Sequence, residues 1–226
     1  HIDCGFERVD GYLFLAPGQG EELLEREYEA AERAGFADVD RLERAPIPTF
    51  DTGPCLRFPH QAQIHPLRYL EGLAHAIRRE GGSIHSQSHV IHIVGGGDAR
   101  VQTSSGREVR ASSVVVATNS SVVNPLTIHA KQASYRSYVV AARVPRGALP
   151  HALFWDMGEP YHYVRLSDSG YSDGHEALIA GGEDHKTGQD SDPARRHAAL
   201  ERWMLDRFPM VREIDHRWSG QVVETI

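Results

Sequence analysis

The polar residues Thr118, Asn119 and Ser120 follow the run SVVVA at positions 113–117. Their hydroxyl and amide groups can donate and accept hydrogen bonds, and open α/β sheets bind ligands in loops at the carboxyl ends of their strands. One interpretation is therefore a loop that hydrogen-bonds to a cofactor. The alternative is an ordinary turn, because Thr, Asn and Ser are common in turns.

Two groups of histidines raise the question of metal binding. Alternation along a strand places His85 and His89 on one face and His92 on the other, which does not suit a tetrahedral metal site. The second group consists of His175, Glu183, Asp184 and His185. We interpret it as a polar loop near a domain contact or as a solvated turn, and we predict no metal site.

The segment PYHYVRLSD places aromatic and basic residues at alternate positions. On a strand, Tyr161, Tyr163 and Arg165 share one face and His162 points the other way. These three side chains could line one wall of a pocket. Alternatively they pack across neighbouring strands, with the Arg165 head group extended into solvent. No Ser-His-Asp order or pair of carboxylates stands out, so the catalytic residues stay unassigned.

The composition narrows the class of protein. The chain of 226 residues carries 24 Lys and Arg against 31 Asp and Glu, a net charge of −7, which argues against nucleic-acid binding. No run of 18 apolar residues exists, so we expect no membrane span. Cys4 and Cys55 lack the CxxC spacing, and two reduced thiols are typical of a cytoplasmic protein.

The two ends of the sequence are abrupt. The chain begins HIDCGFERVD, without an initiator methionine or a signal peptide, and ends QVVETI in a strand-like run. We interpret the chain as an internal fragment of a longer protein.

Three segments have helical periodicity with suitable ends. GEELLEREYEAAERAG has acidic residues in its first turn and a glycine after its last. HPLRYLEGLAHAIRREGG has an apolar stripe from Leu67 to Ile77 and a Gly-Gly stop. DPARRHAALERWMLDRF opens on Asp-Pro. Its core side is predicted from Ala199, Trp203, Leu205 and Phe208.

Strand patterns occupy most of the remaining sequence. Residues 83–112 predict successive strands, with a hairpin turn at residues 95–98. The run at residues 113–117 is typical of a strand covered on both faces, and it predicts a parallel sheet beside the second helix. From Lys131 onward, amphipathic strands separated by Pro and Gly turns predict an antiparallel sheet.

The order of these segments resembles that of a known enzyme family. The helix HPLRYLEGLAHAIRREGG, the strand pair SIHSQSHVIHIVGGGDARVQTSSG and the run VVVATNSS follow one another as in the D-amino-acid oxidase/glycine oxidase superfamily of FAD-dependent oxidoreductases. PYHYVRLSD, LIAGGEDHKTG and RWSGQVVETI resemble a bacterial branch whose members sometimes carry a C-terminal Rieske iron-sulfur module.

This resemblance implies an α+β fold, with a mainly antiparallel substrate-domain sheet and a partial α/β FAD-binding segment. The substrate domain would comprise residues 1–60 and 128–217. Residues 61–127 would be a remnant of the FAD-binding domain, and residues 218–226 would return toward it.

The resemblance also implies which residues approach FAD. Val90 matches the family position whose backbone meets the adenine. Ala117, Thr118 and Asn119 match the loop near the dinucleotide, where the family usually has Ala-Thr-Gly. Gln61 and Gln63 lie near where relatives approach the flavin, or are ordinary loop amides. No GxGxxG follows a strand, so we expect this fragment not to retain stoichiometric FAD.

The function implied by the resemblance is oxidation of an amine or amino acid at its C–N bond, by hydride transfer to flavin. The candidates for binding the substrate and its carboxylate are Tyr138, Tyr161, Tyr163 and Arg165. We expect the fragment itself to be inactive. The alternative is a binding module that holds a small ligand or a protein without redox chemistry.

Overall fold

The computed structural model describes residues 1–119, 131–168, 171, 174–188 and 192–225. The chain divides into two compact units. The smaller unit comprises His1–Cys4, Pro66–Ala133 and Val223–Ile226, and the larger unit comprises Gly5–His65 and Ser134–Val222. Ser120, and residues 120–127 of the predicted FAD-domain remnant, lie outside the described residues.

Three helices and eleven strands make up the described part of the chain. The helices are α1 (Glu22–Arg33), α2 (Pro66–Arg79) and α3 (Pro193–Arg207). The strands are β1 (Glu7–Phe14), β2 (Asp40–Leu42), β3 (Cys55–Gln63), β4 (Val90–Val94), β5 (Ala99–Thr103), β6 (Glu108–Ala111), β7 (Gln132–Pro145), β8 (Leu153–Asp156), β9 (His162–Ser167), β10 (His175–Lys186) and β11 (His216–Thr225). None of the described helices combines the length and the hydropathy that a membrane crossing requires.

The large sheet has eight strands in the order β11-β7-β10-β9-β8-β1-β3-β2. Strands β7 to β10 pair antiparallel along most of their length, and β1 pairs antiparallel with β3. Strand β1 joins β8 by a parallel pairing. The prediction of a mainly antiparallel sheet is confirmed.

Helix α3 packs against one face of this sheet. Leu200, Trp203, Met204 and Phe208 are buried in the main hydrophobic core, which matches the i, i+3, i+4 spacing of a helix face. The prediction that Leu205 faces the core is wrong, because this residue is 41% exposed. One residue turns a helix by about 100°, so Leu205 lies beside the buried stripe.

Helix α1 covers one end of the opposite face. Its Leu24 and Ala31 form a second buried cluster with Leu13 of β1 and Leu56 of β3. Toward β9 and β10, no described helix of the larger unit covers this face. We call this side the open face.

The smaller unit contains α2 and the antiparallel sheet β4-β5-β6. The predicted hairpin turn at residues 95–98 joins β4 to β5 and is confirmed. The predicted buried strand at residues 113–117 is wrong, because this segment is not a strand and Val115 is 88% exposed. An apolar run becomes a strand only where neighbouring strands satisfy its backbone groups, and β6 pairs with β5 alone among the described strands.

Replacing Leu200 by alanine should lower the free energy of unfolding of the chain by about 2–5 kcal/mol, because the substitution leaves a cavity in the core. The matched control is Leu205→Ala on the same helix, which should cost less than about 1 kcal/mol. Urea denaturation followed by circular dichroism measures both values. Equal losses for the two variants would contradict the assignment of the buried helix face.

Candidate active-site face

Strand β9 presents chemically different residues on its two sides. His162, Val164 and Leu166 are buried on the side of α3. Tyr163 and Arg165 are half-buried and lie on the open face. The alternation of the strand therefore separates an apolar core side from a polar side that a ligand can approach.

Tyr163 is held in place by its cross-strand neighbours. Gly181 of β10 lies opposite Tyr163, and a Cβ atom at position 181 would overlap the phenol ring. Ser137 of β7 hydrogen-bonds to the Tyr163 side chain. Burial and the nearby Asp184 carboxylate raise the pKa of Tyr163 more than Ser137 and Arg165 lower it. The phenol is therefore neutral at neutral pH.

Tyr161 extends the aromatic surface beside Tyr163. Their ring centroids are 6.2 Å apart, and the Tyr161 hydroxyl donates to Asp184 Oδ2 at 3.1 Å. A bulge between Gly182 and His185 interrupts the pairing of β10 with β7. It allows adjacent acidic residues to reach different partners, since Asp184 binds Tyr161 and Glu183 binds His162 at 3.2 Å.

Arg165 supplies the positive charge of the open face. Its Nη1 donates to Gln63 Oε1 at 3.4 Å, and burial lowers the pKa of the guanidinium. An arginine has five N–H donors in a planar fork and stays charged in proteins. The other N–H groups of Arg165 suit a carboxylate, because a carboxylate accepts two parallel hydrogen bonds from a guanidinium fork.

A chain of hydrogen bonds continues from Gln63 to a buried acid. Gln63 Nε2 donates to Glu7 Oε2 at 2.8 Å. His151 lies between Glu7 and Glu176, with Nδ1 3.1 Å from Glu7 Oε2 and Nε2 3.0 Å from Glu176 Oε2. Burial opposes the charged imidazole, but the two carboxylates outweigh it and raise the pKa of His151.

The same cluster contains three groups of the types that bind metals. Donor atoms of His151, Asp168 and Glu176 all lie within 4.8 Å of one another. The ring nitrogens of His151 already contact Glu7 and Glu176, and Glu176 Oε1 accepts from the Gly147 amide at 2.9 Å. Hydrogen bonding within the protein therefore accounts for this arrangement.

Gln61 lies beside an aromatic wall at the start of the open face. A Cβ atom at Gly11 would come within 2.7 Å of the Trp155 ring and 3.2 Å of Gln61 Cγ. Gln61 and Gln63 are the last residues of strand β3, after a bulge at His60, and so they are not loop amides. Gln61 Nε2 donates to the carbonyl of Pro59 at 3.2 Å.

Tyr138 is not brought together with the other tyrosines. Its side chain is 0% exposed and belongs to the core between the sheet and α3. Its ring lies 5.7 Å from that of His185 and 4.9 Å from that of His197. Tyr138 is one residue from Ser137, and strand alternation turns it away from the open face.

The residues predicted to approach the dinucleotide lie in the smaller unit. Val90 is exposed on β4, and Ala117, Thr118 and Asn119 are exposed outside any strand or helix. Asn119 has φ of 58°, in the left-handed region that Gly and Asn adopt most readily. The role of these residues in binding the dinucleotide stays a prediction.

A profile of the DAO family, described as FAD-dependent oxidoreductases, matches residues 1–225. The chain belongs to this family. The expected membership and the α+β fold class are thus confirmed, and FAD is the cofactor of the family. This DAO chain is 26% identical over its 226 residues to YhfW of Bacillus subtilis strain 168, which carries the name of a Rieske 2Fe-2S iron-sulfur protein.

Solved structures of the DAO fold agree with the architecture. Glycine oxidase from Bacillus cereus ATCC 14579 superposes with a TM-score of 0.74 at 18% identity, over 99% of this chain and 62% of its own. NikD, an amino acid oxidase of nikkomycin biosynthesis, has a TM-score of 0.75 at 14% identity, over 96% and 61%. The chain spans about three fifths of these structures and 43% of YhfW.

The described residues of this DAO chain do not fit the diphosphate of FAD. A diphosphate is usually held by backbone amides of a Gly-rich loop at a helix N-terminus. The first turn of α1 carries Glu22 and Glu25, whose charges repel phosphate. Helix α2 follows β3 without an intervening glycine, and α3 is capped by its own Asp192.

Several residues on the open face, or hydrogen-bonded to it, were not identified from the sequence. They are Glu7, Ser137, His151, Glu176 and Gly181. Only Gly181 carries a usable signal, since glycine inside a strand often marks a close approach. Strand pairing brings the others together, and no local spacing indicates it.

Replacing Gly181 by alanine should displace the Tyr163 ring, because the new Cβ would occupy its position. The ring would then be more hydrated, so the pKa of Tyr163 should fall toward its ordinary value near 10. Titration of the phenolate absorbance measures this shift. Gly220→Ala is the control, since a Cβ at Gly220 meets open space. An unchanged titration curve in Gly181→Ala would contradict the proposed contact.

The stabilisation that His151 contributes should decrease as pH rises. Its pKa is raised above 6.5 in the folded chain, so the contribution is complete below that pH and is lost as pH passes the raised value. The difference in free energy of unfolding between wild type and His151→Gln should therefore be larger at about pH 6 than at about pH 9. Urea denaturation measures it, with His216→Gln as the matched exposed control. If the difference in free energy of unfolding between wild type and His151→Gln grew with pH, the assignment of a charged His151 ring would be wrong.

Proposed function

We propose that this chain is the substrate-side portion of a longer FAD-dependent oxidoreductase that oxidises the C–N bond of an amine or amino acid. The observation that carries the proposal is the half-buried Arg165 beside the neutral phenol of Tyr163, on the open face of a DAO-family sheet. The likeness to glycine oxidase and NikD supports a substrate of this class.

In this proposal the open face binds the substrate. Arg165 holds the carboxylate with its guanidinium fork, because charge-assisted bidentate pairs are strong and directional. Tyr163 and Tyr161 form an aromatic wall beside it, and Gln63 keeps the guanidinium in place. Tyr138 takes no part in substrate contact, since its side chain is fully buried on the other side of the sheet.

For the smaller unit we propose a role as part of the FAD-binding domain. Val90 and the loop of Ala117, Thr118 and Asn119 would contact the dinucleotide. The predicted apolar stripe of α2 is exposed, with Leu67 71% accessible, and such a surface suits coverage by further protein. Gln61 is our proposal for a residue near the flavin, since its side chain lies beside Trp155 on the open face.

By itself this chain would be inactive and would not retain stoichiometric FAD. Its described helix N-termini offer no Gly-rich cradle for the diphosphate, and a flavin absorbance spectrum of the purified chain checks this. A Rieske module elsewhere in the whole protein is also a proposal, supported by the name of YhfW. A cytoplasmic location stays a prediction.

The whole protein should be yellow and should bleach when an amino acid is added without oxygen. Arg165→Met should raise the half-saturating substrate concentration by roughly 10–100-fold, as expected for loss of a hydrogen-bonded charge. The control is Arg57→Met, which removes an arginine of the same sheet that pairs with Asp10 and Asp40. A colourless whole protein would indicate a binding module. A half-saturating substrate concentration that is the same in Arg165→Met and wild type would exclude Arg165 as the carboxylate ligand.

A further inference from the structure

We propose that Glu7 and His151 are positioning residues, which set the orientation of the Gln63 amide and thereby the direction in which Arg165 presents its guanidinium. The inference rests on the proposed function of Arg165. It extends the substrate site from Arg165 on the open face through Gln63, Glu7 and His151 to the buried Glu176.

The orientation of Gln63 follows from the chemistry of Glu7. An ionised carboxylate only accepts hydrogen bonds, so the Gln63 amide must turn its NH₂ group toward Glu7, where the contact is 2.8 Å. The amide oxygen then faces Arg165 and accepts from Nη1 at 3.4 Å. The flipped amide would place oxygen against carboxylate and NH₂ against guanidinium, and both contacts are repulsive.

Glu7 is kept ionised by its neighbours. Burial disfavours its charge, but hydrogen bonds from Gln63 and His151 outweigh burial and lower the pKa of Glu7. His151 contacts Glu7 through Nδ1 and Glu176 through Nε2. Because both partners are carboxylates, both ring nitrogens donate and the ring is an imidazolium.

Glu176 anchors the arrangement in the core. Its side chain is 0% exposed, and Oε1 accepts from the Gly147 amide at 2.9 Å. Asp168 also faces His151, and Arg146 neutralises it in part through an ion pair of 2.9 Å. The imidazole is therefore fixed at one end by a buried acid, and at the other end it holds Glu7 against Gln63.

The test uses Glu7→Gln, which keeps the side-chain size and removes the charge. An amide at position 7 can donate or accept, so Gln63 would no longer be held in one orientation. The matched control is Asp10→Asn on the same strand. The Asp10 carboxylate accepts from Arg57 of β3 at 2.9 Å, so Asp10→Asn removes the charge of a cross-strand carboxylate that does not contact Gln63 or His151.

Side-chain ¹⁵N NMR of the chain gives a readout that does not depend on catalysis. Glu7→Gln should shift the Arg165 Nε–H resonance, and Asp10→Asn should leave it in place. Gln63→Leu removes the link without changing any charge, and it should shift the same resonance if Glu7→Gln does not fold. An Arg165 resonance that stays unchanged in the folded variants would overturn the inference.

Kinetics of the whole enzyme separate this inference from the proposed function. Glu7→Gln should raise KM for an amino acid substrate about tenfold, as expected for loss of alignment at a charged hydrogen bond, with kcat unchanged. If Arg165→Met weakens substrate binding but Glu7→Gln leaves KM unchanged, the positioning role is wrong and the proposed function stands. If Glu7→Gln shifts the Arg165 resonance while Arg165→Met leaves KM unchanged, Arg165 is positioned but the proposed function fails.

Discussion

The packing of α3 against one face of the eight-stranded sheet decides which side chains remain available for chemistry. Trp203 of this helix stacks on the His162 ring at 4.5 Å, and Leu200, Met204 and Phe208 complete the core. Every strand that supplies a residue to this core must present the next residue on the opposite side. The position of Tyr163 and Arg165 on the open face is thus a consequence of where the helix lies.

Titratable side chains of the larger unit hydrogen-bond to one another on both sides of the sheet. On the side of α3, His162 lies between Asp156 and Glu183, with Arg196 3.4 Å from Glu183. At the edge of the open face, His151 lies between Glu7 and Glu176 in a similar way. Buried polar groups cost free energy unless they are hydrogen-bonded, and both networks meet that condition.

The two units differ in how completely they bury their apolar residues. The larger unit encloses nearly all of its core between the sheet and its helices. Helix α2 of the smaller unit has no buried residue, and Val115 and Val116 are exposed. The apolar residues of the smaller unit are therefore available for contact with further protein, as the proposed role of this unit requires.

Sequence patterns predicted the three helices, the hairpin at residues 95–98, the antiparallel character of the large sheet and the sharing of one face by Tyr163 and Arg165. These features depend on periodicity and turn chemistry, which can be recognised from residues that are close together in the sequence. Order and spacing of the segments also indicated the DAO family.

Local patterns did not predict that Tyr138 is buried, that residues 113–117 are not a strand, or that Glu7, His151 and Glu176 meet. Glu7 and His151 are 144 positions apart, and they meet because β1 lies beside β8 in the sheet. Strand order sets such contacts, and a local pattern of residue types does not encode which strands become neighbours.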